Sequence, residues 1–187
     1  MDFAQHSAGT VFFNLAAGFA IGCTRLAGWK ESGSTTVGEL LLPEDILLDL
    51  DVANTRQLFD EIGRHMERKH ALPKDWVTAS LSRRERVGST GVGKGVAIPH
   101  ARVKDLDRIQ LAYLRLKTPI PFDAPDGKPV SDILVVLVPK QAVEEHLKIL
   151  ADAAGMFSDS AFREQLHLRN DPLEVRRLFG TWPPIPA

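Results

Sequence analysis

Residues Gly88–His100 read GSTGVGKGVAIPH, and the architecture of the chain turns on this stretch. Its first seven residues spell G-x-x-x-x-G-K, most of a nucleotide-binding P-loop, but Gly95 stands where the Mg²⁺-binding Ser or Thr belongs. A P-loop also joins an apolar strand to a helix. Here the preceding residues LSRRERV are charged and helix-like, and the following VAIP is a short strand, Gly95 to Ile98, closed by Pro99. No later Asp ends an apolar strand to serve as a second Mg²⁺ anchor. The stretch is not a P-loop. Gly88, Gly91, Gly93 and Gly95 let the backbone turn tightly, either to gather N–H groups around an anion or simply to connect two elements. His100 follows Pro99, whose fixed φ stiffens the chain, and a neutral imidazole held there is a candidate phosphoryl acceptor.

Working outward, the flanks read as alternating helices and strands. Asn54–His70 carries Leu58, Phe59, Ile62 and Met66 at helical spacing. Pro73 opens a helix with Trp76, Val77 and Leu81 inward, running into Arg83, Arg84 and Arg86. Gln110–Lys117 alternates as a half-buried strand does, Asp126-Gly127 marks a turn, and Ile133–Val138 is apolar throughout, as a central strand would be. Three helices follow, over Ala142–Phe157, Ser160–Arg169 and from Pro172 to near Gly180, the last with Asp171 as N-cap. The pattern predicts an α/β fold: a mixed β-sheet flanked by helices on both sides, a single compact domain with an N-terminal extension.

In the first of these three helices Val143, Leu147, Leu150 and Ala154 are expected to form the buried stripe, placing His146 on its inward edge. There it is either a core histidine or a second imidazole near a helix N-terminus, where anions are favoured. Arg84 is suited to neutralising phosphate with its planar fork, and Glu85 to orienting Arg84 or a histidine. Lys94 is available to screen phosphate, although an exposed lysine needs no such purpose. The remaining histidines show no metal-ligand spacing; His65 and His70 are five residues apart, off a common helical face, and no metal is expected.

Composition sets the outer limits. The 187 residues are the size of one domain, with 44 % hydrophobic residues, enough for a core. The net charge of −1 argues against a nucleic-acid partner or a membrane surface. One cysteine, Cys23, excludes an internal disulfide and fits a reducing cytoplasm. Val11–Cys23 is apolar but short and interrupted by Asn14, and Asp2 without any basic residue is unlike a secretory signal, so membrane insertion is not expected. Residues 1–37, ending in the linker-like KESGSTT, are read as an extension or an overlong translation start, with an amphipathic anchor the less favoured alternative. The main domain spans 38–182 and the tail 183–187.

The run R-E-x-x-G-S-T-G-V-G-K-G-V-A-I-P-H-A, Arg84 to Ala101, resembles the phosphorylation-site motif of type-2 EIIA domains of the bacterial phosphoenolpyruvate-dependent phosphotransferase system. Pro121–Val130 (PFDAPDGKPV), Glu144–Leu150 (EEHLKIL) and a start at Leu41–Val52 (LLPEDILLDLDV) are similar to further blocks of that family. A lone chain and the FDAPDG block resemble the nitrogen-regulatory branch more than the fructose- and mannitol-specific domains. The resemblance implies His100 as phosphoryl acceptor through Nε2, His146 as second active-site histidine and Arg84 as the charge-stabilising residue. The loop Ser89, Thr90, Gly91, Gly93 and Gly95 then cradles phosphate, with Glu85 supporting. It further implies no cofactor, an HPr-like phosphocarrier as partner and unknown regulatory targets. A sugar-specific IIA component passing phosphate to a IIB domain, or an inactive interaction module, are the alternatives.

Overall fold

The computed structural model describes residues 35–141 and 144–182; the readings made for the N-terminal extension, Val143 and the tail lie outside them. The sheet is organised around two long strands, β5 (Gln110–Ile120) and β6 (Val130–Val138), paired antiparallel with Tyr113 opposite Leu134. The turn at Asp126-Gly127 lies in the connection between them. On β6, Ile133, Val135 and Leu137 face one core layer and Leu134, Val136 and Val138 the other. A strand covered on both faces must be apolar at every position, which is why the sequence there does not alternate.

The other strands are shorter. β1 (Ile46–Leu50) lies parallel to β5 on its far side. On the opposite edge of β6 run β3 (Val96–Ala97) and β4 (His100–Arg102), both parallel to it, and β2 (Gly91–Gly93) pairs antiparallel with β3. The order is β1-β5-β6-β3-β2, with β4 also on β6, giving the expected mixed sheet. Pro99 does not end the strand, as the sequence had implied; it interrupts it. Proline has no N–H to donate, but the edge of β6 needs only its carbonyl, which accepts from the Val136 N–H at 2.9 Å. Pairing resumes at His100.

Helices cover both faces. On the first lie α2 (Thr55–His70) and α3 (Lys74–Glu85). Asn54 caps α2 by accepting from the Gln57 N–H at 3.0 Å. Gly63 permits the close approach of α3, since a Cβ there would meet Thr78 Oγ1 at 2.5 Å. The second face carries α1 (Val37–Leu40), α4 (Glu144–Ser158), α5 (Ser160–His167) and α6 (Pro172–Thr181). Thr36 and Glu39 form a capping box on α1, and Val37 is fully buried. Asp171 caps α6 with Pro172 at its first position, as expected.

Three expectations fail in detail. β5 is buried from Gln110 through Leu116 because β1 and β6 flank it and helices cover both faces; it is not half-exposed. Its polar residues are paired: Arg115 donates to the carbonyls of Leu166 and Arg169. Trp76 is 39 % exposed, with Lys104 Nζ 5.1 Å over its ring, because Val77 and Leu81 alone meet the core from that helix turn. On α4 the buried stripe is Ile149, Ala153, Met156 and Phe157, whereas Leu147 is 58 % exposed and Ala154 exposed. The stripe is rotated because the helix rests on the sheet through Ile149, three residues after His146.

Candidate functional site

His100 is the first residue of β4, where the strand resumes after Pro99. Its Nδ1 lies 3.0 Å from the Ile98 carbonyl oxygen and its Nε2 3.1 Å from Arg84 Nε. These two partners fix the tautomer. A carbonyl only accepts, so Nδ1 carries the proton; a guanidinium only donates, so Nε2 presents its lone pair. Burial pushes the imidazole pKa below its ordinary 6.5, against the Ile98 hydrogen bond, and the neighbouring Arg84 and His146 add to the fall. His100 is therefore neutral at pH 7 with Nε2 unprotonated, in the form of a nucleophile.

Arg84 comes from the last turn of α3. Its Nη1 donates to the Gly88 carbonyl at 2.8 Å, which aims Nε at the histidine. Glu85, beside it, accepts from Thr90 N–H at 2.9 Å and Thr90 Oγ–H at 2.6 Å, tying the start of the glycine-rich loop to the helix. It orients the loop, and neither Arg84 nor a histidine is its hydrogen-bond partner among the described residues. Ser89 Oγ donates to the Phe122 carbonyl and accepts from Gly91 N–H.

The loop expected to cradle an anion divides in two. Ser89, Thr90 and Gly91 line a recess of about 230 Å³ beside His100 and Arg84, and Gly93 and Gly95 do not. Gly93, Lys94 and Gly95 all have positive φ (83°, 57° and 79°) and form the tight turn between β2 and β3. Lys94 N–H donates to Asp126 Oδ2 at 2.7 Å, which helps hold that carboxyl below its ordinary range. The Thr90, Gly91 and Lys94 amides are all engaged internally and are not free donors for an anion. Lys94 Nζ approaches the Ser158 carbonyl at 3.4 Å, at the end of α4.

A cleft of about 650 Å³ opens on the other side of His100. Arg83, Arg84, Arg102, Lys140 and His146 line it together with His100. Arg102 escaped the sequence reading, although period-two geometry puts it on the same face of β4 as His100. Arg83 belongs to the basic run that closes α3. His146 faces this cleft from the first turn of α4, and its Nδ1 is buried without a hydrogen-bond partner among the described residues. Leu150, one turn on, lines both cleft and recess and forms the apolar wall between them. The structure thus brings His100, Arg84 and His146 to one cationic depression, with the His100 Nε2 lone pair held by the Arg84 Nε–H. Its charge suits an anion carried on a larger body, and Val87, 83 % exposed, stands at the rim.

A second histidine cluster corrects the expectation that His65 and His70, five residues apart and off a common helical face, do not converge. Both Nε2 atoms lie 2.7 Å from Asp45 Oδ1, and Gln110 Nε2 lies 3.2 Å from Asp45 Oδ2 and 3.2 Å from His70 Nε2. Spacing along one helix misses this arrangement because Asp45, from the one-turn 3₁₀ segment Pro43–Asp45, enters between the two rings.

The family described as “Phosphoenolpyruvate-dependent sugar phosphotransferase system, EIIA 2” matches residues 39–181, and the chain belongs to it. It is a component of a phosphotransferase system. Within that family its likeness is to nitrogen-regulatory proteins. It is 35 % identical over 131 residues to a nitrogen regulatory protein of Pseudomonas aeruginosa, covering 68 % of this chain and 84 % of the relative. With that of Bradyrhizobium diazoefficiens it shares 34 % over 151 residues, 81 % of this chain and 98 % of the relative. The crystal structure of the nitrogen regulatory protein IIA-Ntr from Neisseria meningitidis superimposes with a TM-score of 0.73 at 43 % identity, covering 76 % of this chain and 98 % of that one. No helix among the described residues is long and apolar enough to cross a membrane.

Proposed function

We propose that this chain is a cytoplasmic phosphocarrier and regulator of a nitrogen-branch phosphotransferase system, accepting a phosphoryl group on His100 Nε2 from an HPr-like phosphohistidine carrier. The observation that carries this reading is the tautomer of His100: Nδ1–H committed to Ile98, Nε2 bearing the lone pair. In the transfer, Nε2 attacks phosphorus in line as the carrier's P–N bond breaks. The electron pair of that bond stays with the carrier's imidazole, which leaves neutral. His100 becomes an N-phosphoimidazolium that retains its Nδ1 proton.

Arg84 has a definite part. Its Nε–H now occupies the lone pair that must attack, so the incoming phosphoryl oxygens draw that donor off and free Nε2 as they arrive. The guanidinium then offsets the charge on the equatorial oxygens. His146 supplies a second donor from the far wall of the cleft. Arg83, Arg102 and Lys140 steer an anionic group toward it. Phosphorylation adds about −1.5 to −2 charges at this surface, which selects among regulatory partners.

The test supplies phosphoenolpyruvate, the general phosphotransferase enzymes and either HPr or its nitrogen-branch homologue, and reads intact mass. The mass of one phosphoryl group added with either carrier, without ATP, is the expected result, fastest with the nitrogen-branch carrier. No uptake from either would leave an interaction module. Efficient onward transfer to a sugar-specific IIB domain would make the chain a sugar-uptake component.

A further inference from the structure

We propose that Asp45, His65 and His70 form a binding site for one divalent transition-metal ion of the zinc class, separate from the phosphoryl site. One oxygen and two imidazole nitrogens from these residues lie within 4.8 Å of one another, a donor set that suits zinc, cobalt or nickel and excludes calcium and magnesium as preferred occupants. Asp45 and His65 are buried, and His70 is partly open to solvent, which supplies an entry path.

The hydrogen-bonding within the cluster is internally inconsistent. To donate to Asp45 Oδ1, His70 Nε2 must carry a proton, yet the same nitrogen faces Gln110 Nε2 at 3.2 Å, donor against donor. Turning the amide over removes that conflict but sets its oxygen against Asp45 Oδ2. A bound cation resolves both. It displaces the proton from each Nε2, so His70 turns its lone pair to the metal. Gln110 N–H remains a donor to the free carboxylate oxygen, the outer support that ligating carboxylates ordinarily have.

The room required is small. Hydrogen-bonded separations of 2.7 Å must open to about 3.3 Å for metal–ligand bonds near 2.0–2.2 Å. His65 Nδ1 has no hydrogen-bond partner among the described residues, so no hydrogen bond on its far side opposes that shift. Three protein ligands leave a fourth position for water.

The site lies on the opposite face of the sheet from His100. Gln110 pairs with Leu137, in the core layer of α2 and α3, whereas His100 pairs with Val136, in the layer of α4. The ion would pin the 3₁₀ turn before β1 to the C-terminal end of α2 and the start of β5.

The test uses the full chain, stripped with chelator and titrated with Co(II) and then Zn(II). One equivalent of Co(II) with the d–d absorption of four- or five-coordination, displaced by zinc, is expected, together with a melting temperature that rises with free zinc. His70→Gln, at the open edge of the cluster, should abolish the Co(II) spectrum while the chain stays folded. Gln110→Ala should weaken zinc about 10- to 100-fold. His100→Ala should leave binding unchanged. Absence of the spectrum and of any zinc-dependent melting shift in the wild-type chain would overturn the proposal and leave a hydrogen-bonded clamp only. Binding that survives His70→Gln but is lost in His100→Ala would overturn it equally, by placing the ion in the cationic cleft.

Discussion

Two histidine clusters occupy opposite faces of one sheet, and they differ in what surrounds the nitrogen. At His100 the Nε2 lone pair meets a cation and an open cleft. At His65 and His70 both Nε2 atoms converge on a buried carboxylate. The first arrangement keeps an imidazole neutral and its nucleophilic atom accessible; the second ties the imidazoles to an anion and stabilises the fold. Residue type does not separate the two roles. The charge of the partner does.

The comparison breaks most sharply at His100. His100→Ala should lower phosphoryl uptake by at least about 1,000-fold, the order of effect of removing an attacking group, with little change in melting because the ring is only half-buried at a cleft wall. Rates near wild type would place the acceptor elsewhere. Asp45→Ala should do the reverse. Removing the carboxylate leaves two imidazoles and an amide without their shared acceptor, at a cost of about 3–5 kcal/mol in denaturant unfolding, while uptake by the folded fraction is preserved. A variant as stable as wild type would show that the clamp contributes nothing.

Arg84→Ala sharpens the account of the first cluster. Loss of a preorganised donor in a partly dry site costs on the order of 10²- to 10³-fold in transfer rate, measurable in single-turnover transfer from the phosphorylated carrier. His146→Ala should cost less, about 10- to 150-fold for one hydrogen bond to a charged group. Its melting temperature should stay near wild type, since Ile149 and Ala153 carry the packing of α4. Unchanged forward and reverse transfer would remove His146 from the mechanism.

The smallest effects concern pH. Neutral His100 is the reactive form and its pKa lies below 6.5, so uptake should hold as pH falls through 6.5 and decline only at lower pH. A decline centred at or above 6.5 would contradict the burial argument. Asp45 has its folded pKa lowered from 3.8 by its two histidine partners, although burial alone would raise it. Its stabilisation is therefore fully present above 3.8 and is lost as pH falls through the lower, folded value.

The sheet was legible in the sequence where apolar runs are long: ILVVLV could only be a strand covered on both faces. The start of α6 was legible through Asp171 and Pro172, whose side chain and ring act locally. The depth of Gln110–Leu116 was not, because Gln110 and Arg115 look solvent-facing until their distant partners are known. The A-I-P-H block and the H-L-K block pointed to two residues that the fold does bring to one cleft, while the glycines before the first block left both a phosphate cradle and a tight turn open. Gly93 and Gly95 are set by a hairpin turn whose acidic partner, Asp126, lies far along the chain. The Asp45 cluster was invisible for the same reason: a carboxylate from one element enters between two imidazoles of another.

The central claim is that His100 accepts phosphate through Nε2 because Nδ1–H is committed to Ile98. NMR of the carrier-phosphorylated chain, with isotope-labelled histidine, reads which ring nitrogen is bonded to phosphorus. The expected result is coupling to Nε2 of His100 with a proton retained on Nδ1. A phosphoryl group on Nδ1 of His100, or on any other histidine, would contradict the account.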